Sequence, residues 1–252
     1  MTPFEKHGIQ HLSASSLNLF RSQPALWVLK YMLNYRDNAG PAAWRGSAVE
    51  AGLMRWLYEP NASEIDCLAT AMSAFGANAQ GEVSDEIEAE AANIAPMLSQ
   101  AVRAIPDRAV PTAKQVKIET WIDGVACPFI GYADFLNDGL LTDLKTTKAC
   151  PSEARPDHRR QIALYLHGRG CKEDGRLLYV TAKKSASFTV GRDEVPALIN
   201  EIRRDAMALQ RFLARVDDGK DAINILPADF DHFMWSDEAR AFALTHSTER
   251  KD

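Results

Sequence analysis

The chain of 252 residues lacks several things that would assign it to a simple class. No run of about eighteen or more apolar residues occurs, so no membrane-spanning helix is expected. The segment Met1–Gln10 has no basic stretch leading into an apolar one, so no secretory signal is expected either. Cysteine is sparse: Cys67, Cys127, Cys150 and Cys171 are far apart and form no C-x-x-C pair. That argues against a structural zinc or a disulfide framework, and for reduced thiols in a cytoplasmic protein. The six histidines are scattered without an H-E-x-x-H pattern. Nor is there an excess of positive charge. Lys and Arg total 29 against 34 Asp and Glu, a net charge of −5. Nucleic-acid-binding domains are often basic overall, so any such role must come from local clustering of cations. No internal repeat or low-complexity segment appears.

What is present centres on residues 131–145, Gly-Tyr-Ala-Asp-Phe-Leu-Asn-Asp-Gly-Leu-Leu-Thr-Asp-Leu-Lys. Asp138-Gly139 between two apolar runs is a hairpin signal, because Gly supplies the positive φ of a type I′ turn. That turn sets a register in which Asn137 faces Leu140, Leu136 faces Leu141, Phe135 faces Thr142, and Asp134 faces Asp143. Strand alternation adds Lys145 to the face of Asp143. Two carboxylates placed opposite each other repel. A divalent cation with oxygen ligands would offset them.

Two helical patterns surround this hairpin. Pro41 opens a helix to about Tyr58, in which Gly46 and Glu50 share a face beside the stripe Val49, Leu53, Trp56 and Leu57. Arg45 is placed against DNA phosphate or against Glu50. A second helix, about Ser152 to Arg169 with Pro156 in its first turns, carries Gln161 and Tyr165 at i and i+4. Arg159 and Arg160 sit beside them.

Taken together, Gly46-x-x-x-Glu50, Gly131-x-x-Asp134, Asp143-Leu144-Lys145 and Gln161-x-x-x-Tyr165 resemble the motifs of PD-(D/E)XK nucleases, of the RecB-type and lambda-type phage exonuclease branch. The resemblance covers roughly residues 12–185. It departs at Ala133, where the superfamily name has Pro, and at Glu50, where RecB-type proteins have His and phage exonucleases commonly Glu. It implies an α/β fold: a mixed central β-sheet flanked by helices, a restriction-endonuclease-like core, with a helical N-terminal portion. It implies Mg²⁺ or Mn²⁺ held by Glu50, Asp134, Asp143 and the Leu144 carbonyl, with Lys145 catalytic and Gln161 and Tyr165 positioning that lysine or the DNA backbone. DNA contacts are expected from Arg45, Ser13, Ser15, Lys148, Arg159 and Arg160. No iron–sulfur cluster is expected, because the clustered C-terminal cysteines of such relatives are missing. The implied activity is exonucleolytic hydrolysis of duplex DNA ends in phage-type recombination or DNA processing. A structure-specific or restriction-type endonuclease would use the same residues, and a non-catalytic DNA-binding accessory protein is the alternative of another class. Implied partners are DNA, a single-strand annealing protein and further copies of the chain, in the cytoplasm of a bacterial host.

The remaining chain is expected to form one domain over 1–252: helices to about 110, the catalytic sheet over about 111–190, and C-terminal helices beyond. Ser13 caps a short helix through Phe20, and Pro24 starts a second. This Ser-rich start resembles the segment near the DNA path in RecB-type nucleases. Residues 61–80 read as a short helix with loops, and Val83 to Ile105 as one long helix with an acidic, solvated start and a kink at Pro96. Gln115 to Ile122 is a strand carrying Glu119, whose facing is open, and Asp123-Gly124 is a second tight turn, into Val125 to Ile130. Leu177 to Ala182 is a buried strand parallel to the one before the crossover helix, and 186–190 an edge strand. Asp193 to Val216 is a long amphipathic helix, and the tail aromatics Phe230, Phe233, Trp235 and Phe242 are expected to pack or to serve subunit contacts.

Overall fold

The computed structural model describes residues 1–37, 39–105, 110–137 and 139–247. Helices α1 (Pro3–Lys6), α2 (Ala14–Ser22), α3 (Pro24–Tyr31), α4 (Pro41–Tyr58), α5 (Glu64–Ala79), α6 (Asp85–Ala92) and α7 (Ile94–Arg103) come first. Strands β1 (Ala113–Thr120), β2 (Phe129–Asn137) and β3 (Leu140–Thr146) follow, then α8 (Pro156–Gly168), β4 (Asp174–Val180) and β5 (Ser185–Val190). Helices α9 (Val195–Leu213), α10 (Gly219–Ile225) and α11 (Asp237–Ser247) end the described chain. The strands lie in sequence order in one mixed sheet. Only β3 and β4 run parallel, joined through α8, while the other neighbours are antiparallel. β5 is the edge strand expected.

The sheet is covered on both faces. Phe135, Leu178 and Val180 pack with Val49, Leu53 and Leu57 of α4 and with residues of α5 and α7. Ala133, Leu141, Leu177 and Tyr179 pack with Ile162, Ala163 and Leu166 of α8 on the other face. A third apolar cluster joins α2, α3 and α9 to α11 around the fully buried Trp27. Burying one such large side chain is worth roughly 1.5–3 kcal/mol, and these clusters fix α4 and α8 against opposite faces of β3.

Two helical expectations change. Residues 64–79 form a full helix capped by a Ser63–Asp66 box, since their small side chains, Cys67 and Ala71 among them, pack fully buried against α4. The long helix over 83–105 is two helices broken at Asn93. Pro96 has no N–H to donate, and it falls in the first turn of α7, where none is needed. The tight Asp123-Gly124 turn forms, with Val125 N–H donating to the Ile122 carbonyl at 3.0 Å and Gly124 at φ +83°, but it lies within a loop rather than joining the strands directly. Thr120 pairs with Phe129, and residues 121–128 form a loop held on α9 by Gln210 Oε1 accepting from Ala126 N–H (2.7 Å).

The acidic start of α6 is not wholly solvated. Glu90 is buried, and so is its partner Arg45. Arg45 also reaches the Thr146 carbonyl and hydroxyl at 3.4 Å, and Lys148 Nζ lies 3.3 Å from Glu90 Oε1. This buried network ties α4 and α6 to the end of β3. Removing one member leaves an unpaired charge in the interior. Glu90→Ala is expected to lower the unfolding free energy by about 3–5 kcal/mol, and Glu90→Gln by less; urea denaturation of the three proteins measures both.

Candidate active site

The site lies where β2 and β3 part. Their ladder contains Asn137–Leu140, Leu136–Leu141 and Phe135–Thr142, as the hairpin reading requires, and ends there. Asp138 of the turn lies outside the described residues; Gly139 has φ +72°, as a type I′ turn demands. β3 continues beside β4 as far as Thr146–Val180. Past Thr142 the β3 backbone therefore has lost its β2 partner. The Asp134 side chain takes over, with Oδ2 accepting the Leu144 N–H at 2.6 Å. The expected Asp134–Asp143 strand pair is thus replaced by a carboxylate–backbone bond. A buried N–H must find an acceptor, and this one finds a side-chain carboxyl oxygen.

The fork has a second cause. Ala133 and Leu136 both pack toward α8, whereas Phe135 packs toward α4, so side-chain alternation along β2 switches at Asp134. β1 switches at the facing position: Val116 and Ile118 pack toward α8, while Lys114 lies over the Tyr58 ring of α4. Between them Gln115 has φ +46°, a left-handed conformation uncommon for a residue other than Gly. The β1–β2 register is unchanged on either side, at Lys114–Phe135 and Val116–Ala133.

Lys145 sits at the mouth of the fork. Its Nζ lies 2.7 Å from Asp143 Oδ2 and donates to Gln161 Oε1 at 2.9 Å. Gln161 Nε2 donates to the Tyr165 hydroxyl at 2.8 Å. Lys can only donate, so it fixes which end of the Gln161 amide faces it. The i, i+4 spacing on α8 thus builds a chain from Tyr165 through Gln161 and Lys145 to Asp143. Gly131 explains the start of its motif: a Cβ there would stand 2.4 Å from Tyr165 Cε1, so the ring packs directly on the β2 backbone. Gly46 is likewise tight, though a Cβ would meet the Thr146 hydroxyl at 3.2 Å rather than a backbone atom.

Three carboxylates crowd this ammonium. Burial, then the charges of Asp143 and Glu50, push the Asp134 carboxyl well above the usual range. Burial raises Asp143 against the opposing pull of Lys145. Burial also raises Glu50, and the nearby Asp143 charge adds to it. Glu50 therefore faces the acids as expected, but its Oε1 accepts a hydrogen bond from Gln115 Nε2. Among the described residues no three acidic, His or Cys side chains are gathered closely enough to hold a metal ion. The expected cage of Glu50, Asp134 and Asp143 is not closed: Gln115 and Lys145 hold two of its acids. The donor set still suits a hard cation. All three side chains offer oxygen, and Asp143 Oδ2 is buried without a hydrogen bond of good geometry, its ion pair with Lys145 notwithstanding.

The other candidates divide. Arg45 is committed to Glu90 and contacts neither Glu50 nor the surface. Ser13 caps α2 through the Ser16 N–H, and Ser15 is exposed with its hydroxyl 3.0 Å from that of Ser13. Arg160 is mostly buried and held by Asn18 Oδ1 (3.1 and 3.2 Å), while Arg159 pairs with Glu194 at the start of α9. Lys148 has a largely exposed side chain, whose ammonium pairs with Glu90. Glu119 pairs with Lys117 on the exposed part of β1 and has no contact with the acids. The residue on β1 that does reach the site is Gln115, which no motif singled out. Leu144 meets the site through its N–H. The four thiols are dispersed over three apolar clusters.

A five-stranded mixed sheet between helices, with these motifs converging at its fork, defines a restriction-endonuclease-like α/β protein. The PD-(D/E)XK nuclease superfamily model matches residues 11–230, and the chain belongs to that superfamily. No curated protein matches the chain. Among solved structures it is similar to one described as the crystal structure of SSO0001, at 18% identity over 76% of this chain and 89% of that one, with a TM-score of 0.35. No helix among the described residues is long and apolar enough to cross a membrane.

Raised carboxylates contribute stability below their unfolded value of about 4 and lose it as pH rises through the raised folded value. As pH rises through those raised values the cluster ionises and loses that stability in the metal-free fold. Asp134→Asn keeps an acceptor for Leu144 N–H and cannot ionise, so in EDTA it is expected to raise Tm over wild type at pH values above the raised one, by about 2–4 °C per kcal/mol relieved. The gain over wild type should shrink toward pH 4, as differential scanning fluorimetry across pH would show. Gly131→Ala forces the Tyr165 ring off β2 and is expected to cost about 1–3 kcal/mol, read from urea unfolding.

Proposed function

We propose that the chain, acting as one domain, is a divalent-metal-dependent deoxyribonuclease that degrades duplex DNA from its ends, in phage-type recombination or DNA processing. The observation that carries this reading is the Tyr165–Gln161–Lys145–Asp143 chain meeting Asp134 and Glu50 at the fork. Glu50, Asp134, Asp143 and the Leu144 carbonyl would hold Mg²⁺ or Mn²⁺, which when bound acidifies a water and polarises the scissile phosphate. Release of Glu50 from Gln115 frees an oxygen for that role. Asp134 keeps its other oxygen for the site while Oδ2 stays on Leu144 N–H. Lys145, steered by Gln161, holds the attacking water in line and stabilises negative charge on the phosphate. Tyr165, pushed up to about 12 chiefly by burial, stays protonated and keeps the Gln161 amide in place.

Phosphate contacts that tolerate any sequence fit the exposed cations beside the site, Lys148 foremost. Further copies of the chain and a single-strand annealing protein remain proposed partners, in a bacterial cytoplasm.

The test uses end-labelled linear duplex and a covalently closed circle, each with Mg²⁺, Mn²⁺ or EDTA. Cleavage of the linear substrate alone, dependent on metal, is expected. Lys145→Ala and Asp143→Ala should lower the rate by roughly a hundredfold to a thousandfold. Cutting of the circle would favour an endonuclease, and wild-type rates in both variants would refute the site.

A further inference from the structure

Helix α8 brings a third polar side chain to the face that carries Gln161 and Tyr165. His158 stands three residues before Gln161, so spacings of three and four put His158, Gln161 and Tyr165 in one stripe. His158, Gln161 and Lys145 line the same cavity of about 710 Å³. No motif singled out this histidine, and the chain from Tyr165 to Asp143 does not use it.

Its ring is held in one state. Tyr179 is fully buried on β4, paired with Lys145 of β3, and its ring packs edge-on against Phe188. The Tyr179 hydroxyl accepts the Arg155 N–H at 3.1 Å and lies 2.7 Å from His158 Nδ1. A hydroxyl has one proton, and a buried one needs an acceptor. Among the described residues His158 Nδ1 is the acceptor within reach, so Tyr179 donates to it. Burial, then the charge of Lys145, push the His158 pKa down to about 4, so the ring is neutral at pH 7. A neutral imidazole that accepts at Nδ1 carries its proton on Nε2.

That Nε2–H has no acceptor among the described residues. Asp157 Oδ2 is 3.7 Å away, beyond hydrogen-bond distance, and the Arg155 guanidinium already holds this carboxylate through two bonds of 3.2 Å. The His158 side chain keeps 18% of its surface exposed, at the cavity it shares with Lys145. An unused donor thus stands beside the ammonium placed at the scissile phosphate. Being neutral, it does not cancel the charge of Glu50, Asp134 and Asp143, which stays available to a cation.

We infer that His158 is a further residue of the active site, whose neutral Nε2–H donates to a non-bridging oxygen of the scissile phosphate alongside Lys145. Tyr179 is a positioning residue that fixes the tautomer. The inference deepens the nuclease reading and rests on it for the substrate, though not for the state of the ring.

Two variants and one spectrum test it. His158→Gln keeps an amide N–H near the place of Nε2, whereas His158→Met fills a similar volume with no donor. On linear duplex with Mg²⁺ or Mn²⁺, His158→Met should lower kcat/KM by about tenfold to a hundredfold, the worth of one hydrogen bond to a charged group. His158→Gln should recover most of that loss, and both should keep the wild-type Tm; a merely structural role would move Tm and would not separate the two. Long-range ¹H–¹⁵N spectra of the metal-free wild type at pH 7, with the His158 signals identified by their loss in His158→Gln, should show the proton on Nε2. Tyr179→Phe should give a mixture of tautomers. Wild-type cleavage by His158→Met, equal losses in both variants, or a wild-type ring protonated on Nδ1 would each overturn the inference and leave the nuclease reading intact. No cleavage by wild type with either metal would instead sink the nuclease reading, and the phosphate contact with it.

Discussion

One ammonium group stands among three carboxylates, and the organisation of the molecule follows from that imbalance. Of the three carboxylates, Lys145 touches Asp143 directly. Asp134 satisfies itself on a backbone N–H, and Glu50 on a neutral amide. These arrangements let the acids coexist in a partly buried space without cancelling their charge. The excess negative charge is what a divalent cation answers, and hydrogen bonds hold the acids apart in its absence.

The scaffold serves this local problem at each side. α8 contributes Gln161 and Tyr165, and its position is fixed by a ring seated on bare backbone at Gly131. α4 contributes Glu50, and it is tied to β3 by Arg45, which sits one turn before and bonds to both Glu90 and Thr146. A salt bridge of this kind is weak evidence for net stability. Its use here is positional, because it connects α4, α6 and the segment after Lys145 through directional bonds that an apolar contact would not supply.

Much of this was legible in the sequence because short-range rules governed it. The Asp-Gly turn set a register that holds from Asn137–Leu140 to Phe135–Thr142. The i, i+4 spacing of Gln161 and Tyr165 placed both on one face, and Pro24, Pro41 and Pro156 mark helix starts. What was not legible depended on partners distant in the chain. The turn register put Asp134 opposite Asp143, but the ladder stops at Phe135–Thr142 and side-chain alternation fails at Asp134, where two strands switch faces together. Glu119 was the visible polar candidate on β1, whereas Gln115 is the one that reaches Glu50; its left-handed backbone has no local signature such as Gly or Asn. Arg45 beside Glu50 looked like a surface cation, and its true partner lies 45 residues on, in a stretch whose acids looked uniformly solvated. The break at Asn93 was visible as Pro96, but a Pro suits the first turn of a new helix as well as a kink.

The joint change of facing at Gln115 and Asp134 has an evolutionary consequence. Because side chains alternate with period two, inserting or deleting one residue in either strand would turn every residue beyond it to the opposite face. Here two such irregularities face each other and cancel in the pairing while persisting in the packing. Neither strand can regain regular alternation alone without exposing apolar residues of one layer. Homologues should therefore either keep both irregularities or lose both, and an alignment guided only by hydrophobic alternation would slip by one position at this point in each strand.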